Sequence, residues 1–581
     1  MSKPLSLVFG LLSFSLFAAP QAWRNGERMP LWPEGRIPDF QEHQIGAMTD
    51  EAQTNADWRA AHRMPYLEWF EAPTSNLTHG CMILVSGGSY NCCCDVGLVK
   101  LWKETFTALG YQCVNLVYRT PRAKDAPCHR SGWQDGQRAV RLVRRDAAKR
   151  GYDPEKIGVI GMSAGGHLVC MLATSALTPA YERIDALDDV PCHVNWAIAN
   201  APAYNTLNGA TGNPTPKDGT EVVPSINPCF KFDEKTCPIS FHHGGVDPYT
   251  PNGSTLCYRE LRKRKIPAEL HLYADKKHGA HGFDRAVEFM RQMGFLGPLA
   301  REQALDHRLF PNDTVRTEKE LLWPAGKTPD VSPNHKFDPY LVWFVPEKQT
   351  TKAIQVIVPG GGYSFCNFNG ECTPVAHYLN GKGMTAVVVM YRNPRPVGKP
   401  KHLSAWQDTQ RAIRMVRSEA PARGLDPDRI GIMGFSAGGH LTLMASLNAR
   451  TPAYAPVDPV DRLSCKVQWA VPIYPAYVLT DGANGLNVNG GNGDEDTFVP
   501  EFAFDEDTPP MCFIHGDGDS ISPMGSVKCW EKLRMMGRQC DLHTLATRGH
   551  CFQIKCAPGT GSYTWLDQVW DFLSRKGFSS K

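Results

Sequence analysis

The strongest constraint on this chain is an internal repeat: its sequence contains two similar copies of one long segment. Ser163 and Ser436 lie 273 positions apart, and the same spacing joins matching residues from Tyr90 and Tyr363 to Tyr204 and Tyr477. Between 152–171 and 425–444, 12 of 20 positions are identical. Solenoid repeats have periods of about 20 to 50 residues, so a repeat this long is a whole domain. The boundaries predicted for the two copies, here called copy one and copy two, are 23–298 and 318–581, with a polar linker at 299–317.

Composition agrees with two folded domains and excludes several other classes. Of the 581 residues, 42% are hydrophobic, which is enough to fill large cores. The formal net charge is only +3, and no long run of Lys and Arg is present. Nucleic-acid partners are therefore not expected.

The first 22 residues have a different character from the rest. Lys3 precedes an apolar run from Leu5 to Ala19, and small residues follow. This pattern predicts a secretory signal peptide over 1–22, although an uncleaved leader or an N-terminal anchor fits it as well. No later segment has 18 apolar residues in a row, so we expect an exported protein, periplasmic or extracellular, without stable membrane association.

The chain has 19 cysteines, an odd number, so at least one cannot pair within the molecule. Three of them, Cys92–Cys94, are consecutive and match no zinc-binding spacing. We therefore expect loop cysteines, free or disulfide-bonded, and no metal ion or organic cofactor.

Short apolar runs alternate with helical patterns in both copies. Cys81 to Val85 and Ile157 to Ile160 are apolar runs typical of buried strands, and Arg138 to Lys149 has helical spacing of its apolar residues. Copy two repeats this order. Alternation of this kind predicts an α/β fold in each copy, with a mostly parallel sheet covered by helices on both faces.

Two G-x-S-x-G motifs carry the main chemical signal. They are centred on Ser163 and Ser436, and each follows a predicted strand and precedes a predicted helix. That context is the one a nucleophile elbow requires, because the glycines permit a sharp turn that holds the serine hydroxyl exposed at its tip. We predict that both serines are nucleophiles.

A serine nucleophile needs a histidine base and a carboxylate that orients it, in the chain order Ser, Asp, His for this kind of fold. Asp247 and Asp519 each follow a histidine by four positions after a predicted strand, and this shared spacing favours Asp519 over its neighbour Asp517. Copy two offers one histidine near its end, His550. Copy one offers His278 and His281, and matching of the following phenylalanines pairs His281 with His550.

Acyl transfer also needs backbone N–H donors for the developing oxyanion. One donor normally belongs to the residue after the nucleophile, and others belong to an earlier glycine loop. Copy one has Ser89 where copy two has Gly362. The serine would narrow the active site of copy one or move one of its oxyanion donors. The predicted donors are Gly88, Ser89 and Ala164 in copy one, and Gly361, Gly362 and Ala437 in copy two.

Together these motifs resemble the α/β-hydrolase superfamily, and more narrowly its acetyl xylan esterase-like and bacterial feruloyl esterase-like carbohydrate esterases. The resemblance rests on the loop at 359–363, the elbow at 434–440 and the segment at 549–552, and copy two matches over nearly its whole length. It implies hydrolysis of acetyl or feruloyl esters on polysaccharides or oligosaccharides through a Ser-His-Asp triad, without a cofactor.

Two alternatives remain open at this point. A prolyl oligopeptidase-like serine peptidase uses a similar elbow, although it usually carries a large N-terminal propeller for which this chain has little room. One copy could also be a pseudo-enzyme that binds glycan while the other is active.

Overall fold

The structure is a computed structural model. It describes residues 26–46, 64–73, 80–94, 96–207, 225–297, 316–480, 497–546, 548–552 and 564–579. The predicted signal peptide lies outside the described residues, and so does most of the predicted linker. The exception is that a strand of copy two already begins at Arg316, inside the segment assigned to the linker.

Copy one contains ten strands and five helices in the described ranges. The strands are β1 Glu27–Pro30, β2 Tyr66–Phe70, β3 Cys81–Val85, β4 Gln112–Val117, β5 Ile157–Met162, β6 Trp196–Asn200, β7 Thr206–Leu207, β8 Ser225–Ile226, β9 Ile239–Gly244 and β10 Ala268–Tyr273. The helices are α1 Val96–Ala108, α2 Arg130–Asp146, α3 Ala164–Thr174, α4 Asn252–Lys263 and α5 Phe283–Gln292.

Copy two repeats this order with eight strands and five helices in the described ranges. The strands are β11 Arg316–Leu321, β12 Tyr340–Val345, β13 Ile354–Val358, β14 Thr385–Met390, β15 Ile430–Phe435, β16 Trp469–Ile473, β17 Cys512–Gly516 and β18 Asp541–Leu545. The helices are α6 Thr373–Gly381, α7 Leu403–Glu419, α8 Ala437–Leu447, α9 Met524–Met535 and α10 Thr564–Arg575.

Each copy builds an eight-stranded, mostly parallel sheet with the same strand order. In copy one the order is β1-β2-β4-β3-β5-β6-β9-β10, and in copy two it is β11-β12-β14-β13-β15-β16-β17-β18. The first two strands of each copy run antiparallel to their neighbours, and the others are parallel. The strands of the parallel region are almost entirely buried, as expected for a sheet covered on both faces. The predicted α/β fold is confirmed in both copies.

The two sheets join edge to edge, which the sequence did not predict. Strand β10 pairs with β18 in antiparallel register, so that the two copies form one 16-stranded sheet. His271 faces His543 and Leu272 faces Leu542. Because His271 and His543 hold equivalent places in the two copies, the pseudo-two-fold axis passes between them. Pairing of this kind also covers an edge that each copy would otherwise expose.

Side chains reinforce this seam between the copies. The Asp517 carboxylate accepts a hydrogen bond from the Tyr258 hydroxyl at 2.7 Å and forms an ion pair with Arg262 at 2.5 Å. The backbone N–H of Ala546 donates to Glu269 Oε1 at 3.0 Å. Asp517, the rival of Asp519 in the sequence, therefore serves the contact between the copies.

The helices lie on both faces of the joined sheet. Helices α2, α3 and α4 pack over one face together with α7, α8 and α9, and their apolar residues form one core that runs through both copies. The opposite face carries two separate clusters, one under α1 and α5 and the other under α6 and α10. The continuous core shows that the seam is a packed interface as well as a strand pairing.

A buried ionic clamp holds the start of each copy against its main body. In copy one, Asp135 accepts hydrogen bonds from Trp32 Nε1 at 2.7 Å and from the backbone N–H of Arg119 at 2.8 Å. The Arg119 guanidinium also pairs with this fully buried carboxylate. Copy two builds the same clamp from Asp408, Trp323 and Arg392. These contacts give the shared residues a structural role in both copies.

The cysteines within the described ranges all carry free thiols. Most are buried, and burial raises the pKa of thiols such as Cys81 and Cys540 to about 12. Such cysteines behave as small apolar core residues. No helix in the described part of the chain is both long and apolar enough to cross a membrane.

Candidate active site

Both predicted nucleophiles sit on strained turns between a strand and a helix. Ser436 lies between β15 and α8 with φ +52° and ψ −114°, and Ser163 lies between β5 and α3 with φ +58° and ψ −121°. Non-glycine residues rarely adopt such angles, so the surrounding structure has to impose them. The Ser436 N–H donates to Ile473 O at 3.0 Å, and the Ser436 carbonyl accepts from the His440 N–H at 3.0 Å.

The elbow glycines are required because backbone passes too close for a Cβ atom. A Cβ on Gly434 would lie 2.2 Å from the Gly438 carbonyl oxygen, and one on Gly438 would lie 2.2 Å from the Val358 carbonyl oxygen. The equivalent contacts in copy one, at Gly161 and Gly165, are 2.6 and 2.4 Å. The motif thus has the strand–turn–helix geometry of a nucleophile elbow in both copies.

In copy two the three predicted triad residues form one hydrogen-bonded chain. His550 Nε2 lies 2.8 Å from Ser436 Oγ, and His550 Nδ1 lies 2.8 Å from Asp519 Oδ2. The other carboxylate oxygen, Asp519 Oδ1, accepts the Ile521 N–H at 2.7 Å. This arrangement holds the imidazole with one nitrogen toward the carboxylate and the other toward the serine, as nucleophilic catalysis requires.

The surroundings of the copy-two triad stabilise the Asp519 carboxylate, and they stabilise the positive charge that His550 gains when it takes up a proton. Burial raises the pKa of Asp519, but hydrogen bonds from His515 and His550 outweigh it and lower that pKa to about 2. Burial lowers the pKa of His550, but its hydrogen bond to Asp519, a contact with Cys551 and the nearby negative charge raise the pKa above its ordinary value. His550 is thereby able to accept and hold a proton.

In copy one the structure corrects the choice of histidine. His278 Nδ1 lies 2.8 Å from Asp247 Oδ2, the same contact that His550 makes with Asp519. His281, the residue predicted from the sequence, has its Nε2 2.8 Å from the Lys277 carbonyl oxygen instead. The prediction of His281 was wrong, and His278 occupies the triad position.

The error arose from a one-residue change in register. The serines are 273 positions apart, but Asp247 and Asp519 are 272 apart, and so are His278 and His550. Matching of phenylalanines further along hid this deletion. The spacing of 31 residues between aspartate and histidine, identical for 247–278 and 519–550, was the sequence signal that would have identified His278.

The copy-one triad is less tightly assembled than that of copy two. Among the described residues, no hydrogen bond joins Ser163 Oγ to His278. The Asp247 carboxylate is well paired, since hydrogen bonds from His243 and His278 outweigh its burial and lower its pKa strongly. The ring of Tyr249 packs 4.7 Å from the His278 ring. Hydrogen bonds of this kind are often long before substrate binds, so the geometry remains compatible with catalysis.

The predicted oxyanion donors lie on the elbow and on the glycine loop before it. Ala164 and Ala437 begin helices α3 and α8, where the backbone N–H has no partner within the helix. Gly361 has φ +124°, and a Cβ there would lie 2.2 Å from the Phe365 carbonyl oxygen. Their role as oxyanion donors stays a prediction, as it does for Gly88, Ser89 and Gly362.

The loop residue that differs between the copies is Ser89, which stands where copy two has Gly362. Ser89 keeps a left-handed backbone, with φ +55° against +60° for Gly362. A Cβ on Gly362 would meet only the Tyr477 hydroxyl, at 3.8 Å, so copy two has open space at the place where copy one has the Ser89 side chain.

Sequence reasoning missed two residues of the copy-two site, Glu371 and Tyr474. Glu371 Oε2 accepts the Gly360 N–H at 2.7 Å, and Glu371 Oε1 accepts the Tyr474 hydroxyl at 3.1 Å. The Tyr474 ring in turn packs 5.0 Å from the His550 ring. Burial is the main reason that the pKa of Glu371 is raised. These contacts link the glycine loop to the histidine.

The histidines that follow the elbows are not part of the triads. His440 is fully buried, and its Nδ1 lies 2.6 Å from the Tyr363 hydroxyl; His167 is held in the same way by Tyr90 at 2.7 Å. Burial lowers the pKa of both imidazoles. These contacts give both histidines a structural role.

The eight-stranded order and the strained elbow serine define the α/β-hydrolase fold, present here twice. The sequence model of the BD-FAE family matches residues 70–260 and 342–482, together more than half of the chain. The chain belongs to the BD-FAE family.

The chain is similar to three proteins over part of its length. An acetylxylan esterase of Xylanibacter ruminicola is 29% identical over 229 residues, which cover 36% of this chain and 43% of that protein. The probable carboxylic ester hydrolase LipM of Mycobacterium tuberculosis is 27% identical, over 34% of this chain and 49% of that protein. The chain thus spans less than half the length of each of these relatives. The crystal structure of an acetyl ester-xyloside bifunctional hydrolase from Caldicellulosiruptor lactoaceticus is 26% identical, with a TM-score of 0.36, and covers 45% of this chain and 97% of that chain.

Proposed function

We propose that the protein is a serine hydrolase of carboxylic esters. The observation that carries this proposal is the hydrogen-bonded chain Ser436–His550–Asp519 on a nucleophile elbow. Membership of the BD-FAE family supports it, as do the names of the relatives, an acetylxylan esterase and a carboxylic ester hydrolase.

The chemistry at copy two follows from the positions of these atoms. Ser436 Oγ attacks the ester carbonyl carbon while its proton passes to His550 Nε2, and Asp519 stabilises the imidazolium that forms. Backbone N–H groups of the Ala437 elbow and the glycine loop hold the oxyanion. His550 then returns the proton to the leaving alcohol. Water, activated by the same histidine, hydrolyses the acyl-enzyme and frees the serine.

We place copy one in the same role, with Ser163, His278 and Asp247 as its triad. The weaker assembly around Ser163 favours a second candidate for copy one alone, a glycan-binding domain without turnover. That candidate predicts glycan affinity that persists in a variant whose copy-two serine has been removed.

For the substrate we propose acetyl or feruloyl esters on polysaccharides or oligosaccharides. Support comes from the relatives, because one is named an acetylxylan esterase and another, of Butyrivibrio fibrisolvens, an endo-1,4-beta-xylanase. Such substrates lie outside the cell, so the proposal includes export through the leader at 1–22 to the periplasm or the extracellular space.

The experiment measures the release of acetate and ferulate from a panel of acylated polysaccharides. It compares the wild type with the double variant that carries both Ser163→Ala and Ser436→Ala. We expect release of at least one acid by the wild type and none by the variant. Cleavage of small esters without release from any polysaccharide would overturn the substrate class alone. Cleavage of peptide amides in preference to esters would instead favour a peptidase.

A further inference from the structure

A second cluster of reactive side chains lies in copy one, and one of its members follows the nucleophile Ser163 by four residues. It consists of His129 in the turn before α2, His167 in α3 and Cys229 in the segment after β8. One ligand atom from each of the three lies within 4.8 Å of the other two. This His129-His167-Cys229 cluster takes no part in the triad chemistry described above.

The distance between Cys229 and His167 fits two ligands of one tetrahedral metal ion. Cys229 Sγ lies 3.5 Å from His167 Nε2. Zinc bonds of about 2.3 Å to sulfur and about 2.0 to 2.1 Å to nitrogen, set at a tetrahedral angle, place the two atoms about 3.5 Å apart. One ring nitrogen of each histidine and Cys229 Sγ lie within 4.8 Å of one another, and the centroids of the two rings are 5.5 Å apart.

The groups around the cluster hold its donor atoms in position. The Tyr90 hydroxyl lies 2.7 Å from His167 Nδ1, which leaves Nε2 as the nitrogen that faces Cys229. The Cys229 backbone is fixed at both ends, because its N–H donates to Asn227 Oδ1 at 3.1 Å and its carbonyl accepts from Ser175 Oγ at 3.1 Å. A hydrogen bond to the second ring nitrogen is typical of histidines that bind metals.

Copy two provides an internal comparison, because it has the same histidines with different neighbours. There Glu501 stands in the place of Cys229, with Oε1 3.4 Å from His440 Nε2 and 3.5 Å from His402 Nδ1. Lys401, at the position of Cys128, adds a positive charge that acts on both histidines. Copy one has Cys128 instead of this lysine, and its nearby cation is Arg130, which acts on His129 and is paired with Asp39 at 2.9 Å. The cluster of copy one therefore offers a thiol where copy two has a carboxylate, and it has no lysine at the position of Lys401.

We propose that copy one binds a zinc ion through His129 Nδ1 or Nε2, His167 Nε2 and Cys229 Sγ. Two imidazoles and one thiolate form a donor set that suits a borderline-soft divalent ion. Binding releases the proton of the Cys229 thiol to solvent. Because the three ligands belong to separate segments, the ion would fasten the segment after β8 to α3 and to the turn before α2, beside the copy-one site.

The test measures metal content of the purified full-length protein after incubation with excess Zn²⁺ and removal of loose metal by gel filtration. We expect one zinc per chain in the wild type and in the matched copy-two variant Glu501→Gln. We expect loss of at least nine-tenths of this zinc in Cys229→Ala and in His129→Ala. Wild type without zinc, or Cys229→Ala with the full amount, would overturn the proposal.

A second measurement needs no variant and so does not depend on how the substitutions fold. Co²⁺ in place of zinc should give a thiolate-to-cobalt charge-transfer absorption in the near ultraviolet, and added Zn²⁺ should remove it. Cobalt that binds without this absorption would contradict a cysteine ligand.

Discussion

The Asp247 carboxylate lies 2.8 Å from Nδ1 of His278, the same distance that separates Asp519 from His550 in the other copy. The nearby His281 turns its Nε2 to a backbone carbonyl instead. The two histidines of one short segment therefore have different environments, and substitution can tell them apart.

In a Ser436→Ala background, which leaves copy one as the active site, His278→Ala should abolish ester hydrolysis. His281→Ala, its matched control, should stay within a few-fold of the background rate. The reason is that only His278 can pass a proton under the control of Asp247. Initial rates on a small chromogenic acetate measure both. Equal losses in the two variants would mean that the aspartate contact does not identify the base.

Asp519→Asn should change both the rate and the pH profile of copy two, measured in a Ser163→Ala background. The serine loses its proton only to a neutral imidazole, so kcat/KM of the parent rises with pH through the raised pKa of His550. Loss of the carboxylate charge leaves burial as the main influence and lowers that pKa. We expect the acid limb of the profile to move to lower pH while kcat falls about 10⁴-fold, the loss expected when the aspartate of a Ser-His-Asp triad becomes asparagine. An unmoved limb would contradict the pairing.

Glu371→Gln should slow copy two without affecting copy one. The Glu371 carboxylate joins the Gly360 N–H to the Tyr474 hydroxyl, and Tyr474 packs on His550. We expect kcat to fall about tenfold with KM nearly unchanged. This fall in kcat is smaller than the one expected when an oxyanion donor itself is removed. The assay uses the Ser163→Ala background, and the Ser436→Ala background is the control, since Leu98 stands at the equivalent position of copy one. A loss in the control background would show a general effect on folding.

Asp517→Ala should destabilise the seam and leave chemistry intact. Asp517 and Arg262 are both nearly buried, so removal of the carboxylate leaves an uncompensated charge and a Tyr258 hydroxyl without its acceptor. We expect a loss of about 3 kcal/mol in the free energy of unfolding. Glu531→Ala, which breaks the more exposed pair with Arg259 at the same seam, should cost less than about 1 kcal/mol. Urea unfolding midpoints provide the comparison, with kcat of the folded fraction as the second reading. A collapse of kcat in folded Asp517→Ala would instead assign it to the triad.

The sequence predicted the fold and the copy-two triad because those features are local or repeated. Each elbow is defined within five residues around Ser163 or Ser436, and the strand pattern recurs in both copies. The pairing of β10 with β18 could not be predicted, because the sequence of an edge strand does not show which other edge strand it will pair with. The pair Glu371 and Tyr474 was missed for a related reason, since its members are 103 residues apart and copy one has neither.

The assignment of Ser163 and Ser436 as nucleophiles is tested most directly by hydrolysis of a small chromogenic acetate. The assay compares the wild type, Ser163→Ala, Ser436→Ala and the double variant, and circular dichroism confirms that each is folded. We predict partial loss in each single variant, larger for Ser436→Ala because its histidine is already hydrogen-bonded to the serine at 2.8 Å. The double variant should fall to the rate of buffer with an inert protein. Undiminished hydrolysis by the double variant would contradict the assignment of Ser163 and Ser436 as nucleophiles.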